Sequence, residues 1–108
     1  MLELRAIQRD GQPGLELAGE LTIYTVAEAR RQLVDWLARV PALELNLKEV
    51  EELDTAGVQL LVWLKRTAAA SGTALVLAHH SPSVVAVLDL LKVNGHLGDP
   101  ILLAPSAS

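Results

Sequence analysis

The chain has 108 residues, 51% of them apolar and 20% charged, which fits one domain with one core and excludes bulk disorder. A net charge of −4 argues against a dedicated nucleic-acid binder, which carries a basic stripe, and the absence of Cys excludes disulfides and thiolate metal sites. No secretory signal is visible in the alternating start Met1 to Asp10 and no apolar run is long enough to insert in a bilayer, so the expected location is the cytoplasm.

There is no Phe, so the core must be aliphatic. Leu2, Leu4 and Ala6 alternate with Glu3 and Arg5, which predicts a half-buried strand. Asp10-Gly11-Gln12-Pro13-Gly14 is dense in turn residues, and the alternation resumes from Leu15 to Ala18, so the start reads as a β-hairpin. Thr25-Val26-Ala27-Glu28 has the spacing of a capping box. Val26, Ala29, Leu33, Trp36, Leu37 and Val40 then share one helical face, with Arg30, Arg31 and Asp35 on the other, and Pro41 ends the helix. Leu43, Leu45 and Leu47 alternate with Glu44 and Asn46, a third strand, and Lys48 to Glu52 is expected to be a charged connection. A second helix runs from Gly57 to about Ala70 and stops at Ser71-Gly72. Ala74 to Leu77 is a short continuous apolar strand of the kind found inside a sheet. Ser81-Pro82-Ser83 starts a third helix, with Val84, Val87, Leu88 and Leu91 facing the core, and Asn94-Gly95 ends it. Ile101 to Leu103 is expected to be a last strand. The order β-β-α-β-α-β-α-β predicts an α/β fold: a mixed sheet with parallel crossovers, an antiparallel hairpin and helices packed against it. The domain is expected to span residues 1–104, with 105–108 a disordered tail.

The chemistry-bearing stretch is Leu53-Asp54-Thr55-Ala56-Gly57, which follows a strand and opens a helix. Asp and Thr are preferred N-caps, so Asp54 or Thr55 can simply cap that helix. A hydroxyl there can also carry a phosphate, held by the free backbone N–H groups. The two readings coexist if Asp54 caps and Thr55 stays exposed. On the second helix Gly57, Leu60, Leu61, Leu64 and Ala68 share a core face, while Thr55, Gln59, Val62, Trp63, Arg66 and Ala70 project outward. Val62 and Trp63 on an outer face mark a protein interface, unless Trp63 packs under a neighbouring loop. Glu49, Glu51, Glu52 and Asp54 form an acidic run, either a solvated loop or a complement to a basic partner.

Other constellations are weak. His79 and His80 at a strand end point to opposite sides and His96 stands alone, so no metal site is expected. Ser81, His80 and Asp89 could compose a catalytic set, but nothing fixes their geometry. Gly11 and Gly14 precede no helix, so they make no phosphate loop. No catalytic residue, no enzyme activity and no cofactor are expected.

The Asp-Thr-Ala-Gly turn, its place between third strand and second helix, the following Val58-Gln59-Leu60-Leu61, and Glu20-Leu21-Thr22-Ile23 before the first helix resemble the STAS domain family. That family is named for sulfate transporters and anti-sigma-factor antagonists, and the resemblance spans about Leu2 to Leu103. It implies a regulatory module that docks a protein through the Asp54–Gly57 turn and second helix, with Asp54, Thr55, Gln59, Val62, Trp63 and Arg66 as contacts. In phospho-regulated anti-sigma antagonists the position of Thr55 is usually a Ser that a partner kinase phosphorylates. The unmodified domain binds the anti-sigma factor, and phosphorylation releases it. Thr55 is thus the candidate phosphoacceptor, and the implied partner is an anti-sigma factor or kinase-like regulator. Thr55-Ala56 departs from the Ser-Ser or Ser-Thr of those members. Asp-Thr-Ala-Gly is more similar to STAS proteins of phospholipid-trafficking ABC transporters, which bind the ATPase subunit, and of chemosensory systems. The helix expected at the family's C-terminus is missing or short here, with only Ala104 to Ser108 left for it.

Overall fold

The computed structural model describes residues 1–91. Strands β1 (Leu2–Arg9) and β2 (Gln12–Leu21) form the antiparallel hairpin, with Arg9 paired to Gln12. The intervening Asp10 and Gly11 both take left-handed backbone, φ 54° and 78°. A two-residue loop of this kind matches the right-handed twist of the strands it joins. Helix α1 (Val26–Arg39), strand β3 (Ala42–Leu53), helix α2 (Thr55–Ser71), strand β4 (Ala74–Ala78) and helix α3 (Pro82–Leu91) follow. The sheet order is β1-β2-β3-β4, with β2, β3 and β4 mutually parallel. Successive crossovers of one hand stepping the same way across a sheet place their helices on one face, and α1 and α2 pack against each other.

Leucine fills the core. Leu15, Leu17 and Leu21 of β2, Leu45 and Leu47 of β3, Leu33 of α1, and Leu61 and Leu64 of α2 are at most 1% exposed. On β4, Leu75 and Leu77 are buried while Ala74 and Val76 are exposed, an alternation rather than the two-sided burial expected of that segment.

Three local expectations are corrected. Lys48 to Glu52 is not a connection, because β3 continues to Leu53. Its pairing with β2 slips twice, between Glu16 and Ala18 and between Gly19 and Glu20. Each slip adds a residue to β3, so its buried residues Leu47, Val50 and Leu53 recur every third position and escape a period-two pattern. At the first slip the Asn46 side-chain oxygen accepts from Lys48 N–H at 2.9 Å, satisfying a donor beside the break in the ladder.

The capping box does not form. Thr25 precedes α1 without a side-chain cap bond. Its hydroxyl donates to the Glu20 carbonyl at 2.8 Å and accepts from Thr22 N–H at 3.0 Å. Glu28 turns instead to Arg31 and Gln32. The Arg31 hydrogen bond, then that of Gln32, holds the Glu28 carboxyl below the usual carboxylate range. Finally, α2 begins at Thr55 rather than Gly57.

Ser81 precedes α3 and is spent on structure. Its hydroxyl accepts from Val84 N–H at 3.1 Å and donates to the Val50 carbonyl at 2.6 Å, tying the helix start to β3. Pro82 takes the first helical position, where its missing N–H is harmless. Val84 and Leu88 are buried as expected. The expectations for the Leu91 side chain, Asn94-Gly95, His96, Ile101 to Leu103, the boundary at 104 and the tail 105–108 lie outside the described residues.

Candidate functional site

Parallel pairing puts the carboxyl ends of β2 and β3 at the same edge of the sheet, so the loop into α1 and the turn into α2 become neighbours. Asp54 joins them. One carboxylate oxygen accepts from Gly57 N–H at 2.9 Å, capping α2. The other accepts from Ile23 N–H at 2.9 Å, across 31 positions of sequence. Asp54 N–H donates in turn to the Leu21 carbonyl at 3.4 Å.

Gly57 permits this closeness. A Cβ built there stands 2.3 Å from the Leu21 carbonyl oxygen and 2.6 Å from a Leu53 methyl. The loop opposite is folded around Thr22, which is buried. Thr25 N–H and Val26 N–H both donate to the Thr22 carbonyl at 2.9 Å, and Tyr24 N–H donates to the Thr22 hydroxyl at 3.3 Å. That tight turn presents Ile23 and Tyr24 outward, 67% and 93% exposed.

The residues singled out from the sequence fall as follows. Thr55 is exposed on the first turn of α2, among backbone N–H groups that have no intrahelical acceptor. Gln59 and Arg66 are exposed along the same helix, and Val62 is half-buried. Trp63 is neither free nor under a loop. It is half-buried against α1, and the Arg30 guanidinium lies 4.2 Å from its ring centroid, within cation–π range. Between the helices runs a groove of about 340 Å³, lined by Val26, Ala27 and Arg30 from α1 and by Ala56, Gln59, Leu60 and Trp63 from α2. Trp63→Ala is expected to cost about 1–2 kcal/mol, less than the loss of a fully buried Trp. Arg66→Glu is expected to change stability by under about 0.5 kcal/mol, as surface substitutions usually do. Urea denaturation of both variants checks the pair.

The remaining constellations stay apart from this site. Glu49, Glu51 and Glu52 are exposed, but on β3 rather than on a loop. His79 adopts left-handed backbone at φ 56°, and His80 beside it is buried. Among the described residues there is no group of three or more His, Asp or Glu placed to hold a metal ion. Ser81, engaged by Val84 and Val50, has a structural role, and Asp89 is exposed on α3. No helix among the described residues is long and apolar enough to cross a membrane.

Ile23, Tyr24 and Arg30 were not singled out as site residues by the sequence. Ile23-Tyr24 did leave a trace: two consecutive apolar residues between strand and helix that neither period absorbs.

These features define a class: a small α/β domain whose candidate site is an open surface at the carboxyl ends of parallel strands. Residues 5–103 match the family described as Mlab, STAS domain, and the chain belongs to the STAS family. Among solved structures it is similar to an anti-sigma factor antagonist from Mycobacterium paratuberculosis, with TM-score 0.80 and 18% identity over 98% of this chain and 89% of that one. It is similar to the anti-sigma factor antagonist SpoIIAA in its unphosphorylated form, with TM-score 0.70 and 21% identity over 96% and 88% of the two chains. It also resembles the phosphorylated form of SpoIIAA, a Bacillus cell fate determinant, with TM-score 0.66 and 20% identity over 96% and 91%. At these identities the likeness is one of fold. No curated protein matches the chain.

Proposed function

We propose that this STAS domain is a non-enzymatic regulatory module of the anti-sigma-factor-antagonist type, acting in the cytoplasm, and that it docks a protein partner through the Asp54–Gly57 turn and the outer side of α2. The observation that carries this reading is the double engagement of Asp54, which binds Gly57 N–H and Ile23 N–H and so makes one surface of two loops, with Thr55 exposed on it. The partner is an anti-sigma factor or kinase-like regulator.

Thr55 is the phosphoacceptor in this reading. A phosphate there adds about −1.5 to −2 charge at neutral pH. The N-terminal end of α2 favours negative charge, so the fold survives. A partner surface pressed against Thr55 does not tolerate the phosphate, which it must desolvate or repel. The names of the SpoIIAA structures record that protein in both unphosphorylated and phosphorylated forms, which supports the same kind of switch here.

The test begins with a pull-down and mass spectrometry to identify the partner, followed by calorimetric titration. Thr55→Glu is expected to weaken binding at least about a hundredfold, with the circular dichroism spectrum unchanged. Thr55→Ala is expected to bind within about tenfold of wild type. If Thr55→Glu binds normally, Thr55 has no part in the mechanism. If Thr55→Ala fails as badly, the hydroxyl is itself a contact.

A second reading has its own support in Thr55-Ala56, which stand where phospho-regulated antagonists usually carry Ser-Ser or Ser-Thr. In it the domain is an accessory subunit on the ATPase of a phospholipid-trafficking ABC transporter, or a chemosensory STAS protein, and uses the same surface without phosphorylation. The identity of the captured partner decides between the two.

A further inference from the structure

The arginines whose side chains are described divide into two sets. Arg5 pairs with Glu3 and Glu16, Arg31 with Glu28, and Arg39 with Asp35. Arg30 and Arg66 have no such carboxylate among the described residues. Both belong to the α1–α2 side of the molecule: Arg30 lines the groove, and Arg66 is exposed one turn beyond Trp63. Among the described residues no acidic side chain lines that groove, although the chain as a whole carries a net charge of −4. The exposed acids Glu49, Glu51 and Glu52 lie on β3, and the exposed acids of α1, Glu28 and Asp35, are paired with Arg31 and Arg39.

Stacking on Trp63 occupies a face of the Arg30 guanidinium. Its N–H donors lie in the guanidinium plane, so the fork that binds a carboxylate stays available. Apart from Gln59, the rest of the lining, Val26, Ala27, Ala56 and Leu60, is apolar. Trp and Arg flanked by small apolar contacts are the composition of an interface anchor.

We propose that the α1–α2 groove seats a segment of the partner in which an acidic residue accompanies an apolar one: the apolar side chain enters the groove, and the carboxylate pairs with Arg30, with Arg66 adding attraction. This deepens the docking reading above and rests on it. The surface is then larger than the turn and α2, since α1 contributes the deciding charge. An acidic segment is repelled by the rest of this chain and attracted here, which selects orientation as well as partner. Ala56 and Gln59 line the groove beside Thr55, so a phosphate on Thr55 competes with the incoming carboxylate at its mouth.

The experiment is selection of random peptides from a display library against the folded domain. The wild type is expected to select sequences with Asp or Glu within a helical turn of Leu, Phe or Trp. Arg30→Glu is expected to bind the resynthesised wild-type peptide at least about tenfold more weakly, and to select Lys or Arg at the acidic position. Amide shifts caused by that peptide should cluster at Val26, Ala27, Gln59 and Trp63. If Arg30→Glu unfolds, Arg30→Gln, which removes the charge without reversing it, gives the same comparison. Selected peptides without acidic enrichment, equal affinity for both proteins, or shifts elsewhere overturn the proposal. So does concentration-dependent dimerisation in sedimentation that protects the groove, which would make a second copy the occupant. If Thr55→Glu blocks the captured partner while Arg30→Glu changes nothing, only this inference fails. If the peptides behave as expected while Thr55→Glu binds the partner normally, only the switch fails.

Discussion

Gly57→Ala is expected to destabilise the domain by about 3 kcal/mol, near the upper end for forcing an added methyl into a packed site. The midpoint of thermal unfolding should fall by roughly 15 °C for a domain of this size. The sign is what makes the test sharp. In an ordinary helix interior, replacing Gly by Ala stabilises by about 1 kcal/mol, because Gly has more backbone freedom to lose. At Gly57 the added Cβ meets the Leu21 carbonyl oxygen at 2.3 Å. That obstacle is backbone in the last residue of β2, and cannot turn aside as a side-chain tip can. Relief requires α2 to lift away from the end of β2, which strains the Asp54 bonds to Gly57 and Ile23. Urea denaturation measures the difference, and a variant as stable as wild type would refute the close approach.

Asp54→Ala removes both of those bonds and is expected to cost about 2 kcal/mol, the upper range for loss of an N-cap. Asp54→Asn separates the two. Its one side-chain oxygen can still accept from Gly57 N–H, and Asn is as good an N-cap as Asp. Its amide NH2 then faces Ile23 N–H, a donor against a donor. Asn at this position should therefore keep most of the stability, within about 1 kcal/mol of wild type, while losing the link between the loops. Hydrogen exchange at Ile23 N–H reads that link directly. Exchange is expected to quicken in both variants, with partner binding reduced in both. If Asp54→Asn leaves the Ile23 amide as protected as in wild type, the second bond is not what holds the loop.

Much of this architecture could be read from periodicity. Leu15 and Leu17, then Leu43, Leu45 and Leu47, alternate as strands that bury one face, and Leu60, Leu61, Leu64 and Ala68 recur as one helical face; all are buried. The second half of β3 was hidden because its two slips stretch the apolar spacing from two residues to three, and a run of Glu between Val50 and Leu53 then resembles a loop. The Thr25–Glu28 pair had the right spacing for a cap, but spacing is silent about competitors. The Glu20 carbonyl and the Arg31 side chain proved the available partners. For the candidate site, the capping role of Asp54 is local and was legible. Its bond to Ile23 and the stack of Arg30 on Trp63 join residues more than thirty positions apart. Nothing in a local pattern encodes such a meeting; it follows only once parallel strands and packed helices have brought the segments together.

The contact of Gly57 with Leu21 has a kinetic consequence. With that helix seated directly on the strand and Ile23 held by Asp54, the docking surface proposed above is already assembled in the free domain. Encounter is then between preformed shapes, and little loop ordering is charged against the complex. Association can run at the ordinary rate for such meetings, about 10⁵–10⁷ M⁻¹s⁻¹, with no slow conformational step before it. Rival partners that share this surface would then differ chiefly in residence time, so which of them holds the domain is decided by how slowly each one leaves.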